Sequence, residues 1–94
     1  DNCSDFIFLT LEYTDHAGHN SGFSLQNINY VAAFRNAEAT AVEIISAIVN
    51  RPAYSEEDWL ILITTDHGGI DKDHGGSSME ERITFVVSNK QILN

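Results

Sequence analysis

The chain has 94 residues, 43% of them hydrophobic, and carries 14 acidic against 5 basic residues for a formal net charge of −9. That length holds at most one small domain. The apolar content excludes disorder along the whole chain, and the acidic balance excludes nucleic-acid binding through a basic patch. No apolar run reaches the roughly 20 residues of a membrane span, and the single cysteine, Cys3, excludes an intramolecular disulfide.

The chain opens on Asp1 rather than methionine and enters an apolar stretch almost at once, as a fragment or a processed chain does. Asp5 to Glu12 (DFIFLTLE) is rich in strand formers and barely alternates, which predicts a strand covered on both faces. A glycine-rich loop from Thr14 to Gly22 follows. Ser24 to Arg51 then predicts a long helix. Val31, Phe34, Ala41, Ile45, Ile48 and Val49 recur on one stripe, Ser24 or Asn27 can cap the start, and Pro52 lies past the end. Trp59 to Thr65 (WLILITT) predicts a second buried strand, Asp66 to Ser78 a polar, glycine-rich loop, and Arg82 to Ser88 (RITFVVS) a third strand. The tail from Asn89 gives no signal. Strand, helix, strand is a βαβ unit with a right-handed crossover and parallel first and second strands. The fold class is therefore α/β, with a small, mainly parallel sheet.

All four histidines fall in three short runs: Asp15-His16-Ala17-Gly18-His19, Thr65-Asp66-His67-Gly68-Gly69 and His74-Gly75-Gly76. Imidazole and carboxylate are the usual nitrogen and oxygen ligands of zinc and related divalent cations. Asp15 and His19 fall just beyond the first predicted strand, and Asp66 and His67 end the second. In open α/β sheets, ligands bind outside the carboxyl ends of the strands. His74 can fold back onto the same place, whereas His16 faces solvent or substrate. Five nitrogen and oxygen donors are many for one tetrahedral zinc and suit two neighbouring ions. Eight of the acidic residues fall between Glu56 and Glu81, a repulsion that bound cations would offset.

The ordered set Asp-x-x-Gly-His-x-x-Gly (15–22), Thr-Asp-His-Gly (65–68) and His-Gly (74–75) resembles the alkaline phosphatase superfamily. Within it, the type I phosphodiesterase/nucleotide pyrophosphatase family is the most similar in appearance. The likeness runs from Phe6 to about Val87. Glu57-Asp58-Trp59 and Glu81-Arg82 also look like bacterial members. The resemblance implies a piece of a three-layer α/β/α domain, residues 1–94 being its C-terminal portion. It implies two divalent metal ions, most often zinc, although manganese and iron accept the same ligands. Asp15, His19 and His74 would hold the first ion, and Asp66 and His67 the second, incompletely. The nucleophilic threonine or serine and a further aspartate would come from upstream. Thr14, Thr64 and Thr65 do not fit that role, so the resemblance implies that this chain lacks the nucleophile and is inactive, or nearly so, alone.

The implied reaction is hydrolysis of phosphate diesters or pyrophosphates, with a small phosphoester as substrate. Other superfamily branches share the metal motifs: phosphatases, sulfatases, phosphonate hydrolases and phosphosugar mutases. A metal-binding domain without turnover is the reading from a different class. Periplasmic or secreted localisation follows from the resemblance only. A small sheet with apolar faces also predicts self-association, or association with a missing partner segment.

Overall fold

The computed structural model describes residues 3–92. The long amphipathic segment forms a helix, and two of the three predicted strands form a ladder. The remaining elements differ from expectation. The order is α1 (Tyr13–Ser21), α2 (Ile28–Val49), a 3-10 turn (Tyr54–Glu56), β1 (Leu62–Thr64), α3 (Met79–Arg82) and β2 (Val86–Ser88).

α2 begins at Asn27, whose side-chain oxygen accepts a hydrogen bond from the backbone N–H of Asn29, the role of an N-cap. It ends at Val49, before Pro52, where a proline ring would clash with the preceding turn. Its inner stripe is half-buried at Tyr30, Val31, Ala37, Ala41, Ile44, Ile45 and Ile48, while Phe34 and Val49 stay exposed. Just beyond the helix, Arg51 reaches Glu57 through two bonds, Nε to Oε1 at 2.9 Å and Nη2 to Oε2 at 2.8 Å. The indole N–H of Trp59 donates to the same carboxylate at 3.0 Å. This latch fixes the helix end to the chain entering β1.

The sheet is two-stranded and antiparallel, with Leu62 opposite Ser88, Ile63 opposite Val87 and Thr64 opposite Val86. The Asn89 N–H donates to the Ile61 carbonyl at one end and the Thr65 N–H to the Phe85 carbonyl at the other. This corrects two expectations. The mainly parallel sheet is not present, and no βαβ crossover forms among the described residues. The reason is the segment 5–12, which forms no strand. From Asp5 to Leu11 no backbone hydrogen bond reaches another described residue. A strand is defined by its ladder, and this one has no neighbour to pair with.

One element appears where loop was expected, and another between the expected loop and the third strand, taking Arg82 from that strand. α1 spans most of the glycine-rich stretch, and its Gly18 is buried against the ring of Phe23. α3 is a single turn nucleated by a capping box, Ser78 with Glu81.

The hydrophobic residues do not close on a core. No described hydrophobic residue is fully buried, and Phe6 and Phe8 are 80% and 78% exposed. Between residues 3–11, α2 and β1 runs an apolar cleft of about 1900 Å³. The Cα radius of gyration is 15.9 Å, against about 12–13 Å for a compact chain of this length. Among the described residues, no helix is long and apolar enough to cross a membrane.

Candidate metal centre

α1 places Asp15 and His19 one turn apart, so both side chains leave the same face of the helix. Nε2 of His19 lies 3.4 Å from Oδ1 of Asp15. His16 takes the outer face, with Nε2 3.5 Å from Oε2 of Glu12 and both side chains well exposed. Helical spacing thus brings these two donors together where a bent loop was expected to do so.

The other two runs converge on the same oxygen. Nε2 of His74 is 3.3 Å from Asp15 Oδ1, and Nε2 of His67 is 3.7 Å from it. Asp15 Oδ1 is buried and has no hydrogen-bond partner. A buried carboxylate oxygen without a donor is costly. Here its neighbours are three imidazole nitrogens.

For two of those neighbours, His19 and His67, the outer ring nitrogen decides what the inner one offers. Nδ1 of His19 lies 2.9 Å from the Lys72 carbonyl, and Nδ1 of His67 lies 2.6 Å from the Gly68 carbonyl. A carbonyl only accepts, so in a neutral ring each Nδ1 carries the proton and each Nε2 a lone pair. Backbone carbonyls orient metal-binding histidines in the same way. Lone pairs facing a carboxylate oxygen repel it. A cation among them converts that repulsion into coordination, so the donor set fits a divalent ion.

Asp15, His67 and His74 form the tightest group, each offering an atom within 4.8 Å of the others. His19 touches Asp15 but lies outside that group. Asp66 stands apart, 90% exposed, with its Oδ1 3.7 Å from Nε2 of His67. The geometry therefore joins His67 to Asp15 and His74, whereas the resemblance divides the donors as Asp15, His19 and His74 against Asp66 and His67.

The rings are packed together. His67 and His74 stack with centroids 3.7 Å apart, and His19 lies 4.9 Å from His74. Phe23 presents its ring edge-to-face to His19, His74 and Tyr30 at 5.4, 6.0 and 5.6 Å. A Cβ at Gly18 or Gly69 would overlap the Phe23 ring, so both glycines admit it. The Phe23 N–H donates to the Asp71 carbonyl at 2.6 Å, in a turn where Asp71 has a positive φ of 52°. That turn, closed by two bonds between Ile70 and Asp73, also presents the Lys72 carbonyl to His19. Tyr30 is pushed above its ordinary pKa, first by burial and then by the negative charge of Asp15.

Phe23 and Tyr30 were not among the residues singled out from sequence. The available signal was an aromatic side chain directly after Gly22, inside a segment otherwise built for tight turns. No family model, curated protein or solved structure matches this chain.

Proposed function

We propose that this chain belongs to a metal-dependent hydrolase of phosphate diesters or pyrophosphates, of the type I phosphodiesterase/nucleotide pyrophosphatase kind. In this reading Asp15, His67 and His74 hold one divalent cation, with His19 as a further ligand and zinc as the ion of choice. The observation that carries the metal centre is the buried, unpartnered Oδ1 of Asp15, ringed by three imidazole Nε2 atoms. The hydrolase part rests on the order of the three motifs in the sequence. A divalent cation supplies the positive charge that phosphoryl oxygens need during transfer.

Asp66, exposed beside His67, is the residue of this chain left for a second cation. Phe23 and Tyr30 wall the centre on its apolar side. The hydroxyls of Thr64 and Thr65 donate to the carbonyls of Phe85 and His67 at 2.8 and 2.9 Å. Thr14 sits in the first turn of α1, next to Asp15. The resemblance nevertheless draws the nucleophile from an upstream segment, and this proposal follows the resemblance.

Thermal unfolding with and without zinc tests the metal centre. A binder gains RT ln(1 + [L]/Kd), about 2.7 kcal/mol at a hundredfold excess over Kd. Absence of any zinc-dependent shift sinks the centre. The hydrolase half is tested on the full-length protein with a nitrophenyl phosphodiester. A protein that binds zinc but cleaves neither diesters nor monoesters favours the non-catalytic metal-binding reading. Turnover by the isolated chain that vanishes in Asp66→Ala would overturn the external nucleophile.

A further inference from the structure

We propose that Glu81 is a positioning residue that ties the His67 loop and the His74 loop to one point, and so sets the spacing of two metal donors; this rests on the metal-centre reading above. Two contacts to Glu81 carry it. The Gly68 N–H, in the residue after His67, donates to the Glu81 backbone carbonyl at 2.9 Å. The Gly76 N–H, two residues after His74, donates to Oε2 of the Glu81 side chain at 2.6 Å. One residue therefore holds both loops, the first through its backbone and the second through its carboxylate.

The glycines show how close that hold is. A Cβ at Gly76 would come within 2.6 Å of Glu81 Oε1 and 2.7 Å of Oε2. A Cβ at Gly68 would overlap the Glu80 carbonyl and lie 3.2 Å from that of Ile83. The Gly68 loop thus meets the backbone of α3 where a side chain does not fit, and the Gly76 loop meets the tip of the Glu81 side chain, which an added methyl would push aside. The second Glu81 oxygen accepts from the Ser78 hydroxyl at 2.7 Å, and Ser78 Oγ accepts from the Glu81 N–H at 3.2 Å. These bonds, from Ser78 and then Gly76, hold the Glu81 carboxyl below the usual carboxylate range. The carboxylate meets only donors, which a glutamine cannot satisfy because one of its two terminal groups is itself a donor.

The consequence is a division of labour at the centre. α1 supplies Asp15 and His19 from one rigid helix face. The other two histidines lie on loops, and their stacking at 3.7 Å needs both loops pinned relative to each other. α3 is too short to matter as a helix; it serves as the peg between them.

The test uses the full chain, Glu81→Gln, and Ser78→Ala as the comparison. Ser78→Ala removes the helix cap and the hydroxyl bond to one Glu81 oxygen, but leaves the Gly76 and Gly68 donors themselves in place. Three readouts are taken: zinc Kd by competition, the visible spectrum of the cobalt-substituted chain, and the ring-current shifts of His67 and His74 in the metal-free chain. Glu81→Gln should weaken zinc measurably, by up to the roughly 10–100-fold that loss of a direct partner of a metal ligand costs, because Glu81 acts on the loops rather than on the histidine rings. It should also change the cobalt spectrum and lose the stacking shifts, while Ser78→Ala, which loosens the Glu81 carboxylate without removing its bond from Gly76, should lose less on each. Should Glu81→Gln lose α2 helicity, Gly76→Ala approaches the same contact with Glu81 intact and should weaken zinc in the same way. Zinc binding as tight as wild type in Glu81→Gln or Gly76→Ala overturns the proposal, as does an equal loss in Ser78→Ala. A wild-type chain that binds no zinc, yet loses its stacking shifts in Glu81→Gln, removes the metal reading and upholds the positioning.

Discussion

Nε2 of His74 lies 3.3 Å from Oδ1 of Asp15, and that oxygen has no hydrogen-bond donor. An asparagine amide at position 15 would supply one. Asp15→Asn should therefore leave the metal-free chain as stable as wild type or more so, by the order of 1 kcal/mol that a net hydrogen bond contributes. It should also lose the stability gained on adding zinc. Paired melting curves with and without zinc check both signs, and a metal-free variant that melts well below wild type would contradict the lone-pair arrangement.

The histidines should not be equivalent. His67 and His74 belong to the tight group with Asp15, whereas His19 stands at its rim. Replacing either of the first two by alanine should cost zinc affinity more than the roughly 10–100-fold typical of outer contacts. His19→Ala should cost less. Titration of each variant against a zinc-responsive dye gives the order, and a His19→Ala loss larger than that of His67→Ala would place the ion nearer α1.

The chemistry of the site was more legible in the sequence than its scaffold. Asp15, His19, His67 and His74 announce themselves because histidines are few and all fall in three short runs that contain glycine. The α2 stripe and the Asn27 cap were readable from periodicity, and β1 and β2 fall inside the predicted apolar runs. α1 was hidden because Gly18 and Gly22 signal a loop. In the structure Gly18 is a packing position, where a Cβ would overlap the Phe23 ring, rather than a turn. The strand over 5–12 failed for the opposite reason: local composition favours it, but strand formation requires a partner that periodicity cannot supply. α3 had a signal in Ser78-x-x-Glu81, in a run too short to show helical periodicity.

Gly18 also sets two energies against each other. Alanine in a helix interior gains about 1 kcal/mol over glycine. Here its methyl would overlap the Phe23 ring, and overpacking costs about 1–3 kcal/mol. Gly18→Ala should thus destabilise in urea unfolding, and Phe23→Leu in the same chain should recover part of the loss. A stabilised Gly18→Ala would show that Phe23 moves aside freely.

The exposed apolar walls carry a further expectation. Phe6, Phe8, Leu60 and Leu62 are each more than half exposed, and the backbone of Asp5 to Leu11 pairs with no other among the described residues. Unpaired strand-like edges beside apolar surface pair with other chains. Sedimentation over a range of concentrations should show self-association, weakened by low salt because each copy carries a charge of −9. A monomer at all concentrations that binds no hydrophobic dye would count against this.

The Arg51–Glu57 latch makes stability depend on pH with a definite sign. Glu57 is held down from 4.5 to about 2, first by its bond from Arg51 and then by that from Trp59. In the unfolded chain both bonds are gone, and the carboxyl returns to its ordinary range. The folded state therefore keeps Glu57 ionised in acid where the unfolded state has taken up a proton. A group with a depressed folded pKa stabilises fully above its unfolded value and loses that contribution as pH falls toward the folded one. The contribution of Glu57 should be constant at neutral pH, decline below about 4.5 and vanish near 2. Glu57→Gln removes the charge at every pH. The difference in melting temperature between wild type and Glu57→Gln should thus favour wild type at neutral pH and shrink across that acid window. Added salt should reduce it as well, because the pair is partly exposed. A difference of the same size at pH 7 and pH 2 would mean that Glu57 acts through packing against Trp59, and that Arg51 does not hold the end of α2 by charge.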